Sequence, residues 1–125
     1  MRILQVLEAS GGGAGRHVID LALGLADRGH EVHLAYSPSR AETSFVEEIR
    51  SASTLHIHPI PMRRGPHPSD VSALFALRRL IRNSDGFDVI HGHSSKAGAL
   101  VRMLRVMGIK SRLLYTPHGL SLIHI

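Results

Sequence analysis

A glycine-rich segment near the N-terminus is the first place where this sequence could do chemistry. Four glycines occur in five residues, at Gly11, Gly12, Gly13 and Gly15, directly before Arg16. Glycine has no Cβ, so a ligand can approach the main chain closely, and free N–H groups at the start of a helix attract a phosphate or carboxylate. A flexible turn is the plainer interpretation, but the position between a predicted strand and a predicted helix favours a loop that binds an anion.

The glycine-rich segment matches neither of the common nucleotide-binding motifs. A P-loop ends in Gly-Lys-Ser/Thr, whereas Gly15 is followed by Arg16. A dinucleotide fingerprint read from Gly11 has Arg16 in place of the third glycine, and no acidic residue closes the second predicted strand after Tyr36. These departures disfavour a nicotinamide-dependent oxidoreductase.

A second group of polar side chains follows the fourth predicted strand, in His91-Gly92-His93-Ser94-Ser95-Lys96. Either serine can cap the helix that follows, and Lys96 can meet an anion there. Two histidines two residues apart could also be metal ligands. However, no carboxylate or Cys ligand lies nearby in the sequence, because Asp88 is at the other end of the strand. We therefore expect no metal, and expect one imidazole to face the cleft while the other packs or caps.

His118 is the third candidate, because it follows the fifth predicted strand in Tyr115-Thr116-Pro117-His118-Gly119. Near neutral pH, a neutral imidazole at this edge of the sheet can accept a proton or hydrogen-bond a sugar hydroxyl. An ordinary turn histidine is equally compatible with the spacing. By contrast, His33, His56 and His58 lie inside predicted strands, and we expect them to be structural.

Arginines are concentrated around the third predicted helix: Arg63, Arg64, Arg78, Arg79 and Arg82. Such charge is usually a solvated face. With 4% aromatic residues, the stacking groups typical of single-stranded nucleic-acid binding are scarce, so no nucleic-acid partner is expected. Contact with an anionic membrane stays open, since each Lys or Arg near such a surface adds about 1 kcal/mol of attraction.

Composition bounds the class of protein. The 125 residues carry a formal net charge of +5 and are 43% hydrophobic, which is typical of one folded domain rather than a disordered chain. No apolar stretch approaches the roughly 20 residues that a bilayer span needs, and the short run from Ile3 to Leu7 does not make a signal peptide. Together with the absence of Cys, this predicts a cytoplasmic protein.

The predicted elements alternate along the chain. Apolar runs predict strands at residues 3–7, 31–36, 55–58, 88–91 and 112–116, and apolar spacing predicts helices over about residues 18–26, 42–50, 71–81 and 97–107. This alternation is typical of a parallel sheet covered on both faces by right-handed crossovers. We predict a single α/β domain with a doubly wound, Rossmann-like parallel sheet, and ligands beyond the carboxyl ends of its strands.

Five segments in this order resemble family 4 glycosyltransferases. They are Met1-Arg2-Ile3-Leu4-Gln5-Val6-Leu7, Gly11 to Val18, Leu21 to Val32, Phe87-Asp88-Val89-Ile90-His91-Gly92-His93-Ser94-Ser95-Lys96-Ala97-Gly98, and Thr116-Pro117-His118-Gly119. We interpret residues 1–121 as the family's N-terminal Rossmann-like domain, and residues 122–125 as a tail that matches nothing.

The resemblance implies a GT-B enzyme with two Rossmann-like domains. In that fold the N-terminal domain binds mainly the acceptor, and the C-terminal domain holds the nucleotide-sugar donor. Sugar transfer retains the anomeric configuration and normally needs no metal, so we expect no cofactor. The 125 residues suffice for the acceptor-side domain alone, so the resemblance predicts a fragment truncated before the donor-binding domain and inactive by itself.

The resemblance also assigns residues by position. Gly12 and Gly13 would lie against the diphosphate and sugar of the donor, with Arg16 beside them. His118 matches the active-site histidine that touches the donor sugar, which makes it the catalytic candidate.

On the acceptor side the resemblance points to Lys96, together with His93 and Ser94. The implied substrates are a nucleotide sugar and a glycan or lipid-linked acceptor, as in polysaccharide biosynthesis by a hexosyltransferase. The alternative is a non-catalytic module that binds a phosphorylated or saccharide ligand.

Overall fold

Nine elements of secondary structure alternate along the described part of the chain. The computed structural model describes residues 1–8, 12–38, 41, 43–63, 67–84, 86–93 and 95–115. In chain order the elements are β1 (Arg2–Leu7), α1 (Gly12–Asp27), β2 (Glu31–Tyr36), α2 (Thr43–Ser51), β3 (Leu55–Pro59), α3 (Ser69–Asn83), β4 (Val89–Gly92), α4 (Ser95–Val106) and β5 (Arg112–Tyr115). All the predicted strands and helices are present. The predicted domain boundary at residue 121 lies outside the described residues.

The strands form one parallel sheet in the order β3-β2-β1-β4-β5. The central strand β1 pairs with both β2 and β4, so Gln5 lies between Leu34 and His91. The chain runs outward from β1 to β3 and then crosses back to β4, so the winding direction reverses between β1 and β4. This arrangement confirms the predicted doubly wound α/β fold and places its topological switch point between those two strands.

Helices cover the sheet on both faces. Because side chains alternate along a strand, Leu4 and Val6 pack with α3 and α4, whereas Leu7 packs on the opposite face with α1 and α2. All three side chains are fully buried. This double burial explains why the sequence of β1 is a nearly continuous apolar run rather than an alternating one.

Two glycines let α4 lie close against the sheet. A Cβ on Gly92 would lie 3.0 Å from the backbone nitrogen of Gly98, and a Cβ on Gly98 would lie 2.5 Å from the ring of Tyr115. The end of β4, the first turn of α4 and the end of β5 therefore meet at a spacing that side chains larger than hydrogen would disturb.

Three histidines of the neighbouring strands β2 and β3 stack on one another. The ring centroid of His33 lies 4.4 Å from that of His56 and 5.1 Å from that of His58. His33 is also joined to Glu31 and to His58 by hydrogen bonds of 2.7 Å and 2.8 Å. Burial lowers the pKa of both His33 and His58, and the positive charge of neighbouring imidazoles lowers it further. All three residues lie inside strands, as predicted.

Substitution of Gly98 by Ala should destabilise the protein by about 1–2 kcal/mol, because overpacking against Tyr115 outweighs the helix propensity that alanine gains. The matched control is Gly24→Ala in α1, where nothing lies within 4 Å of the new Cβ. That change should stabilise the protein by about 0.5–1 kcal/mol. Urea unfolding followed by circular dichroism measures both effects, and equal stabilisation by the two alanines would contradict the packing.

The histidine stack should make folding sensitive to mild acid. Because the folded state lowers the pKa of His33 and His58, the unfolded chain takes up protons first. The contribution of these histidines to the free energy of unfolding should thus be fully present above pH about 6.5 and should decrease as the pH falls below that value. His58→Gln should make the decline shallower. Thermal unfolding between pH about 7.5 and 5 measures it, and a flat profile for the unchanged protein would show the prediction to be wrong.

Candidate functional site

Two helices begin beside the switch point of the sheet. Helix α1 starts at Gly12 after β1, and α4 starts at Ser95 after the adjacent strand β4. The first turn of each helix contains no acidic residue. Unpaired N–H groups and the positive end of the helix dipole favour an anion at such a place. The carboxyl edge between β1 and β4 is therefore the candidate site.

The glycine-rich segment was predicted to be a loop, but most of it is helical. Helix α1 already begins at Gly12, so Gly12, Gly13 and Gly15 belong to its first turn. The segment folds as helix because Val18 and Ile19, one turn later, bury their side chains against the sheet. Its N–H groups are the ones that the helix leaves unpaired, and the glycines place no side chain over them. Gly11 lies outside the described residues.

Arg16 is exposed but already engaged by two carboxylates. Its guanidinium donates two hydrogen bonds to Glu48, of 2.9 and 2.7 Å, and further bonds to Asp20. The hydrogen bonds to Glu48, and then those to Asp20, raise the pKa of Arg16 above its usual value. Arg16 thus ties α1 to α2, and an anion at the site would have to compete with Glu48 for it. The Asp20 partner was visible at i+4 in the sequence, whereas Glu48 was not.

His93 is the packing member of the predicted histidine pair. Its imidazole is fully buried, its Nε2 is hydrogen-bonded to Oε1 of Gln5, and its backbone N–H donates to the carbonyl of Val6 over 2.9 Å. The ring centroids of His91 and His17 lie 3.9 Å and 6.1 Å from that of His93. The half-buried His91 is the more accessible member of the predicted pair.

Sequence reasoning missed two buried polar residues at this edge. Gln5 is 1% exposed and Glu8 is 7% exposed, although both belong to or follow the apolar strand β1. Gln5 fixes the ring of His93 from the neighbouring strand, and Glu8 places a carboxyl group at the switch point. The sequence did contain a signal for them, because both are polar residues in or next to an apolar run. A polar group buried in such a strand requires a hydrogen-bond partner.

Lys96 lies on the other face of the sheet and is paired across helices. Its ammonium donates a 2.7 Å hydrogen bond to Asp70 at the start of α3, and the two side chains are 9% and 28% exposed. Burial alone would raise the pKa of Asp70, but hydrogen bonds from Lys96 and from the backbone of His67 outweigh it and lower that pKa. The pair joins the first turns of α3 and α4.

The structure therefore gathers only part of the predicted site. Gly12, Gly13 and His93 lie around the switch point, whereas Arg16 and Lys96 are held by carboxylates on opposite faces of the sheet. Ser94 and His118, the latter the catalytic candidate, lie outside the described residues. No group of three His, Cys, Asp or Glu side chains in the described ranges is arranged to hold a metal ion.

Removing one partner of the Lys96–Asp70 ion pair should lower the stability of the folded protein. Asp70→Asn should destabilise the protein by about 1–2 kcal/mol, less than the 3–5 kcal/mol of a fully buried pair because Asp70 is partly exposed. Combining it with Lys96→Met should restore most of the loss. Asp20→Asn, which breaks an exposed pair, is the control and should change stability far less. Urea unfolding of these three variants and of Lys96→Met alone tests this. If the effects of Asp70→Asn and Lys96→Met simply add in the double variant, the two side chains are not coupled.

Comparison with solved structures places the fold among known α/β proteins. MurG from Acinetobacter baumannii superimposes with a TM-score of 0.65 at 16% identity, over 92% of this chain and 35% of MurG. Sucrose-phosphate synthase from Thermosynechococcus elongatus superimposes with a TM-score of 0.70 at 16% identity, over 96% of this chain and 34% of the synthase. The C-terminal domain of a hydrogenase from Pyrococcus furiosus superimposes with a TM-score of 0.54 at 15% identity, over 90% of this chain and 89% of that domain. At such low identities these likenesses show the fold alone.

The chain spans about a third of the length of MurG and of sucrose-phosphate synthase. No curated protein matches its sequence significantly. The model of the family described as Glycosyltransferase Family 4 matches residues 11–124, which is most of the chain. That range includes the glycine-rich start of α1, the segment from β4 into α4, and the predicted motif around His118. This chain belongs to glycosyltransferase family 4.

Proposed function

We propose that this chain is the acceptor-side domain of a retaining glycosyltransferase, which transfers a sugar from a nucleotide-sugar donor to a glycan or lipid-linked acceptor. The observation that carries the proposal is the pair of helix N-termini at the switch point, in a chain of family 4. Neither helix places a carboxylate in its first turn. The two helix starts therefore favour an anionic group such as a diphosphate, although the buried carboxyl group of Glu8 lies at the same edge.

The proposed roles follow the chemistry of each group. Backbone N–H groups of Gly12 and Gly13 donate to the donor's diphosphate, and glycine allows the phosphate oxygens to come close. Arg16 reaches the donor only when it leaves Glu48, so its contribution is reduced by the strength of that pair. His118 touches the donor sugar and is the catalytic residue of the proposal.

On the acceptor side, we assign Lys96 and Ser94 to contacts with the acceptor's polar groups. Buried His93 supports this edge through Gln5 and contacts the acceptor only if the edge opens. The proposed chemistry uses no metal and no cofactor, and it belongs to hexosyl transfer in polysaccharide biosynthesis. The chain needs a donor-binding domain for turnover, so the 125 residues alone are expected to be inactive.

The proposed location is the cytoplasm, with peripheral contact at the inner face of the membrane. Among the described residues, no helix is long and apolar enough to cross a bilayer. The excess of 15 basic over 10 acidic residues supports attraction to anionic headgroups.

A non-catalytic binding module is the second candidate, because the switch-point edge with its two helix starts is already formed within this chain. Such a module would bind a phosphorylated or saccharide ligand without a donor domain. Titration of the 125-residue chain with nucleotide sugars, phosphosugars and glycans separates the candidates. Saturable micromolar binding by this chain alone, with no transfer by any longer form, would favour the module.

Sugar transfer by the chain extended with its genomic continuation is the direct test of the proposed enzyme. Transfer from at least one nucleotide sugar is expected, with retained anomeric configuration in the product. His118→Ala should lower kcat/KM by at least about a hundredfold, the range of one positioned acid–base or charge-stabilising group. The control is His30→Ala between α1 and β2, at the opposite end of the strands from the candidate site, which should leave the rate unchanged. No transfer with any donor, or equal rates for both variants, would overturn the proposal.

A further inference from the structure

The outward surface of α3 and α4 is unlike the rest of the molecule. Within the described residues, six large apolar side chains are exposed: Met1, Val71, Phe75, Met103, Val106 and Leu114. Four of these six belong to α3 and α4, and they are 48–80% exposed. Single exposed apolar residues need no explanation, but four on two adjacent helices form a surface that favours contact with something other than water.

These four side chains point in one direction. On α3, Val71 and Phe75 are separated by one turn and lie opposite the buried stripe of Ala73, Leu77 and Ile81. On α4, Met103 and Val106 lie opposite the buried Ala97, Val101 and Leu104. Both helices pack side by side on the same face of the sheet, in the same core cluster. Their outward residues therefore form one surface, here called the α3/α4 surface.

Arginines continue this apolar surface. Arg78 and Arg82 extend the stripe of Val71 and Phe75 along α3 at i+7 and i+11, with Arg79 beside them. Arg102 and Arg105 are exposed on α4. In the described part of the chain no carboxylate pairs with the exposed Arg79 or Arg82, whereas Arg78 is half-buried and its buried Nε has no hydrogen-bond partner.

The charge is divided between the two faces of the domain. Helices α3 and α4 together carry six basic residues and one acidic residue, Asp70, which is paired with Lys96. Helices α1 and α2 carry two basic and four acidic residues. The positive charge of the protein is thus concentrated on the layer that also exposes the apolar side chains.

We propose that the α3/α4 surface docks onto a bilayer that contains anionic phospholipid. Phe75, Val71, Met103 and Val106 would enter the headgroup region, while the arginines contact lipid phosphates. Charge complementarity selects this occupant over a second copy of the chain, because a twofold contact would place arginine against arginine. The neighbouring apolar and cationic side chains on α3 and α4 also fit a lipid surface.

The proposal rests on the proposed peripheral location but not on sugar transfer. Helix α3 begins at the carboxyl edge of the sheet, where Asp70 meets Lys96 at the start of α4. A domain lying with its α3/α4 surface on the bilayer would therefore hold the candidate site beside the membrane, within reach of a lipid-linked acceptor.

Flotation of the 125-residue chain with vesicles tests the charge component. Binding is expected to phosphatidylcholine vesicles containing phosphatidylglycerol, but not to pure phosphatidylcholine, and high salt should release it. Arg79→Glu with Arg82→Glu should lower the partition coefficient at least about 25-fold, since each lost arginine near such a surface accounts for about fivefold. The matched control is Arg28→Glu with Arg50→Glu on the α1 and α2 side, which removes the same charge from exposed positions.

Tryptophan fluorescence tests the apolar component, because the sequence contains no Trp. Phe75→Trp should shift its emission to shorter wavelength when anionic vesicles are added, whereas Ser44→Trp on exposed α2 should not. Light scattering without lipid shows whether this surface instead joins two copies. No vesicle binding, equal loss in both charge variants, an unshifted Phe75→Trp spectrum, or a dimer that Phe75→Ser dissolves would each overturn the proposal.

The test separates this inference from the proposed enzyme. Vesicle binding requires no sugar substrate, and transfer to a water-soluble acceptor requires no vesicle. Arg79→Glu with Arg82→Glu is expected to keep transfer to a soluble acceptor in the longer chain while losing vesicle binding. If that variant keeps vesicle binding, the docking surface is wrong and the transferase proposal is unaffected.

Discussion

Burial of β1 on both faces is the constraint on which the rest of the structure depends. Its apolar side chains contact α1 and α2 on one side and α3 and α4 on the other, and its backbone pairs with β2 and β4. A strand in that position forces the chain to cross the sheet after β3. The crossing creates the switch point, and the starts of α1 and α4 are brought together there. The candidate site is therefore a consequence of how the core is divided into two layers.

Carboxylates neutralise the cationic side chains that the sequence placed near the candidate site. Arg16 and Lys96 were both expected to meet anionic ligands, and each is held by carboxylates from a neighbouring helix. In the proposed function, the backbone at the start of α1 rather than a cationic side chain meets the anion at the switch point. A site of this kind would need no mobile side chain, and the glycines at the start of α1 would let a ligand come close to the main chain.

The two faces of the domain serve different purposes. The α1 and α2 side is tied by the Arg16–Glu48 pair, and each of its two helices has more acidic than basic residues. The α3 and α4 side carries arginine with exposed Phe, Val and Met side chains. A glycine-mediated contact at Gly98 holds α4 of this second layer close to the sheet. The proposed membrane docking would use the α3 and α4 side, whereas the candidate site lies at the edge where both sides meet.

The sequence by itself determined the alternation of strands and helices, the doubly wound fold and the family, because apolar periodicity and short motifs are local features of the chain. It also located the glycine-rich segment and the His91 to Lys96 segment at the ends of two strands. Only the tertiary structure decided that Glu48 and Asp70 hold Arg16 and Lys96, that Gln5 buries the ring of His93, and that exposed residues of α3 and α4 form one surface. Those partners are 26 to 88 residues apart in sequence, and no local pattern encodes a contact that depends on how distant elements pack.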